Sequence, residues 1–174
     1  MSLNYKYFAL VLAVSALAGC SANRVVRFVT PFDAEAARKQ LEEGSNNVKG
    51  SALIRQAGGG VVTCAGKPVF MMPVTAAAKE WAAQVYGTSR GGFHNAQGRD
   101  IKFKGRDDMF AAVKTATCDA QGGFKFDRVA DGQFYVFTRI TWVVAGSIQG
   151  GSVMRPVTLS GGQVAEIVLS PDSL

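Results

Sequence analysis

The sequence predicts a mainly β protein, an antiparallel β-sandwich of about seven strands with one inserted helix and a short N-terminal helix. Three observations carry this reading. In residues 133–142, Phe134, Val136, Thr138, Ile140 and Trp142 alternate with Tyr135, Phe137, Arg139 and Thr141, a period of two that gives a strand two faces. Asp131-Gly132 lies between that run and the pair Phe124 and Phe126; Gly takes positive φ without a Cβ clash and Asp tolerates it, so residues 115–142 read as a hairpin. Finally, short alternating segments separated by glycine-rich turn signals recur from residue 48 to 169, the spacing of an all-β domain. A length of 174 residues with 48% hydrophobic residues suits one domain with a core of its own.

The chain opens on a segment of a different kind. A single Lys6 precedes an apolar run from Tyr7 to Leu17, followed by Ala18-Gly19-Cys20. The run is about half of the ~20 residues a spanning helix needs, so residues 1–19 read as a targeting signal. Leu17-Ala18-Gly19-Cys20 resembles the lipobox of bacterial lipoproteins, which implies cleavage before Cys20 and acylation of Cys20. Several acyl chains hold a domain stably at a membrane. Ser21 in place of Asp after the lipidated cysteine implies sorting to the outer membrane, with the domain facing the periplasm or the cell surface. The expected division is residues 1–19 signal peptide, 20–47 lipidated Cys, tether and short helix, 48–170 β-sandwich, and 171–174 tail.

Setting Cys20 aside leaves Cys64 and Cys118. An exported chain meets an oxidising compartment, where two cysteines permit one intramolecular bridge, so a Cys64–Cys118 disulfide is expected. The net charge of +6 is modest and not concentrated on a reading element, and export removes nucleic acid as a partner.

The elements follow in order. Thr30 and Pro31 suit a helix start, Asp33 and Glu35 suit its positive end and Gly44 its close, giving a helix over residues 31–43 with a thin apolar stripe. Residues 48–56 alternate as a strand, and Gly58-Gly59-Gly60 reverses the chain. No helix N-terminus follows that triplet, which excludes a phosphate cradle. Residues 61–64 and 67–74 read as one strand with a bulge at Ala65-Gly66. Thr75 caps a helix to about Tyr86, with Ala78, Trp81, Ala82 and Val85 at helical spacing and Gly87 ending it. Residues 87–108 read as a long surface loop in which Ile101 and Phe103 could add a short strand; loops of that length are often functional. Residues 146–151 read as a flexible connection, and Pro156, which cannot donate a ladder hydrogen bond, argues for an edge position or a bulge. Gly161-Gly162 turns the chain into a last strand over residues 164–169.

With those elements in hand, residues 48–74, the run Thr117-Cys118-Asp119-Ala120-Gln121-Gly122-Gly123-Phe124-Lys125-Phe126, then Asp131-Gly132-Gln133-Phe134-Tyr135-Val136 and the closing strands to Leu169 resemble the carboxypeptidase regulatory-like domain. That resemblance implies a transthyretin-like, or prealbumin-like, sandwich, noncatalytic and used as a rigid accessory, spacer or ligand-binding module. The helix from Thr75 and the loop to Asp108 depart from its smallest members.

Enzyme readings of related sandwiches fail on residues. Hydroxyisourate hydrolases use several histidines and end Tyr-Arg-Gly-Ser, whereas this chain has His94 alone and ends Ser170-Pro171-Asp172-Ser173-Leu174. Intradiol dioxygenases hold iron with two Tyr and two His, which a chain with one histidine cannot supply. No metal or cofactor is implied. The expected role is therefore a lipid-anchored structural or protein-interaction module, with an envelope protein as partner and the membrane held through Cys20. Candidate partner-binding residues are Arg90, His94, Arg99, Lys102, Lys104 and Arg106 in the long loop, with Trp81 beside it. The alternative is a carbohydrate or peptidoglycan-binding module that stacks sugar on Trp81, Tyr86 or Phe93.

Overall fold

The computed structural model describes residues 24–97, 101–105 and 107–171. The proposed signal segment, Cys20, Arg99 and Arg106 lie outside these residues. Among the described residues no helix is long and apolar enough to cross a membrane.

Two sheets make the sandwich. The first has five strands in the order β5-β10-β9-β4-β7: Gly92–Asn95, Ser147–Leu159, Gly132–Val144, Pro68–Pro73 and Lys114–Thr117. In the second, β2 (Glu43–Arg55) pairs with β11 (Val164–Leu169), β8 (Gly123–Val129) and β3 (Val61–Thr63). Val48, Ile54, Phe124, Phe126, Phe134, Val136, Ile140 and Leu159 fill the space between them. The alternation of β9 therefore holds as predicted, with Phe134, Val136 and Ile140 on the inter-sheet face.

The opposite face of β9 is covered as well. Tyr135 and Phe137 pack under helix α2 (Ala76–Tyr86) and helix α3 (Asp107–Ala111), with Trp81, Met109 and Phe103 in the same cluster. Beside them a two-stranded parallel ribbon joins β1 (Arg24–Arg27) to β6 (Ile101–Lys104), with Val26 opposite Phe103. The five-stranded sheet is thus a middle layer with an apolar core on each side. Helix α2 starts as the sequence predicts: Ala78 N–H donates to Thr75 Oγ1 at 3.1 Å, and Gly87 ends it at φ 77°. The Glu80 carboxylate accepts from the N–H groups of Val29 and Thr30 at 3.0 and 2.9 Å, tying the segment after β1 to this helix.

Several expectations are corrected. The sheets are not wholly antiparallel, since β11 runs parallel to β2 and β1 to β6, and the described residues form eleven strands rather than about seven. The segment read as a tether supplies β1, and β2 begins at Glu43 rather than Val48. The N-terminal helix α1 spans only Ala34–Gln40 and is capped by Asp33, whose Oδ1 accepts from Ala36 N–H at 2.9 Å. Residues 61–74 are two strands in different sheets, the chain crossing between them at Cys64. Residues 147–151 belong to a continuous strand and Gly146 to the tight turn before it, not to a flexible link. Gly150 there takes φ 85°, and a Cβ would lie 2.3 Å from Ile140 O, so the glycine is required by close backbone approach inside the sheet.

The largest correction concerns residues 115–142. β8 and β9 do not pair; β8 bonds to β2, and β9 to β4 and β10. Asp131-Gly132 is an arch between the two sheets, so Phe124 and Phe126 meet Phe134 across the core instead of beside it. The arch is pinned from within. Asn46, fully buried, donates from Nδ2 to Val129 O at 2.9 Å and to Asp131 Oδ1 at 2.8 Å, and its Oδ1 accepts from Gln163 N–H at 3.0 Å. The true hairpin is β9–β10, closed by Ala145 and Gly146 with φ 47° and 79°, the two positive values that a type I′ turn requires.

The Cys64–Cys118 disulfide is present, with Cα atoms 5.8 Å apart. Cys64 follows β3 in one sheet and Cys118 follows β7 in the other, so the bond ties the layers together at one end.

Candidate functional site

Helix α2 covers only part of its side of the five-stranded sheet. Where it ends, Trp81, Val85 and Tyr86 overhang a cavity of about 210 Å³ whose floor is the sheet and whose far wall is Ile101 and Phe103 of β6. The register of three strands builds the floor. Phe70 of β4 lies opposite Phe137 of β9, with ring centroids 5.4 Å apart. One pleat further along β9, Arg139 is opposite Ser152 of β10, and Ser152 is opposite His94 of β5. An aromatic row therefore stands beside a polar row on one face.

Trp81 is the hub of the aromatic wall. Its ring centroid lies 5.0 Å from Phe137, 5.9 Å from Tyr86 and 6.0 Å from Phe110. Edge-to-face and tilted contacts of this kind hold the rings in fixed orientation. Trp81 is only 5% exposed, yet its indole N–H has no hydrogen-bond partner among the described residues. The Tyr86 hydroxyl also lacks one, and burial pushes its pKa well above the ordinary phenol value, keeping it protonated as a donor. Ser152, His94 and Arg139 make no side-chain hydrogen bond or ion pair among the described residues. Of this set only Trp81 is buried, while Tyr86, His94 and Ser152 are half-buried and Arg139 is exposed. A buried donor is normally satisfied within the protein or by what occupies the space beside it, so the indole N–H, with the open polar row next to it, gives this cavity the character of a binding surface.

Ser152 and His94 are register partners, but no hydrogen bond joins them and no carboxylate lines the cavity to orient the imidazole. Among the described residues no three His, Cys, Asp or Glu side chains gather to hold a metal ion.

The residues singled out in the sequence are dispersed. Trp81 and His94 meet in the cavity, together with Tyr86. Phe93 points the other way, against the inter-sheet core. Arg90 lines a separate cavity of about 260 Å³ with Lys79, Ser89 and Tyr135, where the Tyr135 hydroxyl donates to Ser89 O. Lys102 and Lys104 are exposed on the outer face of the β1–β6 ribbon, opposite to Ile101 and Phe103, where Lys104 is the register partner of Arg27. The basic residues therefore do not form one patch with His94. Sequence reasoning missed Arg139, Ser152 and Phe137 as site residues. The available signal was Arg139 itself, the one charged residue in a strand rich in aromatic and β-branched residues.

No protein-family description matches the sequence, and no curated protein matches it significantly. Among solved structures, a "putative carbohydrate binding protein" from Pseudomonas aeruginosa superposes with a TM-score of 0.66 at 23% identity, over 81% of this chain and 98% of that one. The likeness is one of fold.

Proposed function

We propose that the protein is a noncatalytic, lipid-anchored module of the bacterial envelope that binds a glycan in the cavity beneath Trp81. The observation that carries this is the indole N–H of a buried tryptophan, without a hydrogen-bond partner among the described residues, set among aromatic rings and beside Arg139, Ser152 and His94, whose side chains have no partner there either. Sugar rings present apolar faces that stack on aromatic rings and equatorial hydroxyls that need hydrogen-bond partners, and this cavity offers both. At about 210 Å³ it is smaller than the ~300–1,000 Å³ of drug-sized pockets, which suits one ring of a longer chain. The name carried by the Pseudomonas structure agrees with this reading. So does the resemblance to carboxypeptidase regulatory-like domains, from which we take the prealbumin-like topology and the absence of catalysis. The resemblance of residues 17–20 to a lipobox supports the anchor, and Ser21 after Cys20 supports the outer-membrane location.

Cosedimentation with isolated cell-wall material tests the glycan. Wild-type protein is expected in the pellet and Trp81→Phe, which keeps the packing and removes the N–H, largely in the supernatant. Equal recovery of both refutes the site. Cys20→Ala is expected to release the protein from the membrane fraction.

A second reading, attachment to an acidic envelope protein, is favoured by one feature: Arg27, Lys102 and Lys104 stand on an exposed face with no ion pair among the described residues. Charge reversal at Lys102 and Lys104 would weaken such a complex while leaving the melting temperature nearly unchanged.

A further inference from the structure

Two of the cavity's polar groups share a property that narrows the glycan, if the glycan reading holds. An indole N–H and a guanidinium are donors only. Trp81 and Arg139 contribute these, and the Tyr86 hydroxyl adds a third donor. No Asp, Glu, Asn or Gln side chain lines the cavity. A neutral sugar presents hydroxyls that each bring a proton to donate, and the side-chain acceptors of this lining are confined to the Tyr86, Thr138 and Ser152 hydroxyls and the His94 ring, with no carboxylate or amide oxygen among them. An ionised carboxylate is the opposite case, since it accepts at two oxygens and donates nothing.

Position supports the same conclusion. Arg139 belongs to the central strand of the sheet, and the preceding residues on its face, Tyr135 and Phe137, are packed beneath α2. Its guanidinium has no carboxylate partner among the described residues, although acidic side chains elsewhere do pair: Glu166 with Lys49, Asp127 with Lys125 and Glu43 with Arg128. One planar guanidinium matches one carboxylate in a bidentate fork, whereas a phosphate dianion calls for more positive charge than a single arginine supplies.

We infer that the sugar accepted here is an acidic one, a ring whose carboxylate pairs with Arg139 while its apolar face lies against Trp81 and Phe137. Two chemical sources share that group: a uronic acid, with the carboxylate on the ring, and a muramyl sugar, with the carboxylate on an ether side arm.

The test is a glycan array carrying oligouronides, muramyl glycans, sugar phosphates and neutral oligosaccharides, probed with the full-length protein in detergent and with Arg139→Gln. Arg139 is exposed, so its replacement leaves the core intact. Binding confined to one or both carboxylate classes, about ten-fold or more weaker in Arg139→Gln, is the expected result, and the class bound identifies the source. Neutral glycans held as well as acidic ones, with Arg139→Gln unchanged, would overturn the acidic-sugar inference and leave the glycan reading standing. A preference for sugar phosphates would overturn the carboxylate assignment. Absence of binding to any glycan would overturn both.

Discussion

Replacing Asn46 by Ala tests whether one buried side chain holds the two sheets in register. Asn46 has no exposure and makes three hydrogen bonds, to Val129 O, to Asp131 Oδ1 and from Gln163 N–H. They connect the start of β2 to the end of β8, to the arch before β9 and to the turn before β11, and Asp131 Oδ1 also accepts from Gly161 N–H at 3.2 Å. At about 1 kcal/mol each, three bonds give a loss of about 3 kcal/mol, more if Gln163 N–H and Val129 O stay dry and unpaired. For a domain of this size that lowers Tm by roughly 6–12 °C. Urea unfolding of the oxidised protein measures it, with an unchanged m-value showing that the denatured state is unaffected. Asn46→Asp is the companion variant: it retains an acceptor for Gln163 but places a second carboxylate beside Asp131, so it destabilises most at neutral pH and recovers as pH falls. A loss below about 1 kcal/mol in Asn46→Ala would show that the arch is held by apolar packing alone, and the network reasoning would be refuted.

Three further predictions concern other parts of the fold. Replacing Cys64 and Cys118 by Ser opens a closed loop of 54 residues and is expected to cost about 4 kcal/mol in the chain-entropy account, read as a lower urea midpoint that reductant no longer shifts. Thr75→Ala removes the N-cap acceptor for Ala78 N–H and should cost about 1 kcal/mol, loosening α2 and with it the roof of the cavity; hydrogen exchange of the first turn reads this directly. The Tyr86 phenol is held above its ordinary value of about 10 by burial. Below that pH both folded and unfolded chains keep the proton and nothing changes; above it the unfolded chain ionises first, so stability falls as pH rises. Tyr86→Phe should flatten that alkaline decline.

Much of the layout was legible because the periodicities are clean. The helix from Thr75 to Gly87, the strand through Phe134 and Ile140, the reversal at Gly58-Gly59-Gly60 and the disulfide all follow from local signals whose physics is local. Pro156 likewise sits on β10 beyond Met154, where pairing with β5 ends. What escaped is non-local. An arch and a hairpin place the same alternation around the same Asp-Gly, and only the partner strand tells them apart. Ala145-Gly146 closes the real hairpin with an alanine at positive φ, a conformation that sequence propensity does not announce. β1 looked patternless because a four-residue strand needs its partner β6 to exist. The candidate site shows the same division. Trp81, Tyr86 and His94 stood out by type, but the row formed by His94, Ser152 and Arg139 is a property of register across three strands, and Phe93 fell on the wrong face because the segment was read as a loop with no alternation to assign.

The most direct test of the central claim is a fluorescence titration of the Trp142→Phe variant, in which Trp81 is the one remaining tryptophan, with solubilised cell-wall glycan. The cavity account predicts a saturable change in emission with an affinity that matches wild-type binding measured by calorimetry, and that weakens in parallel when Arg139 is replaced. Saturable calorimetric binding with no change in Trp81 emission would place the ligand elsewhere on the molecule and contradict the account.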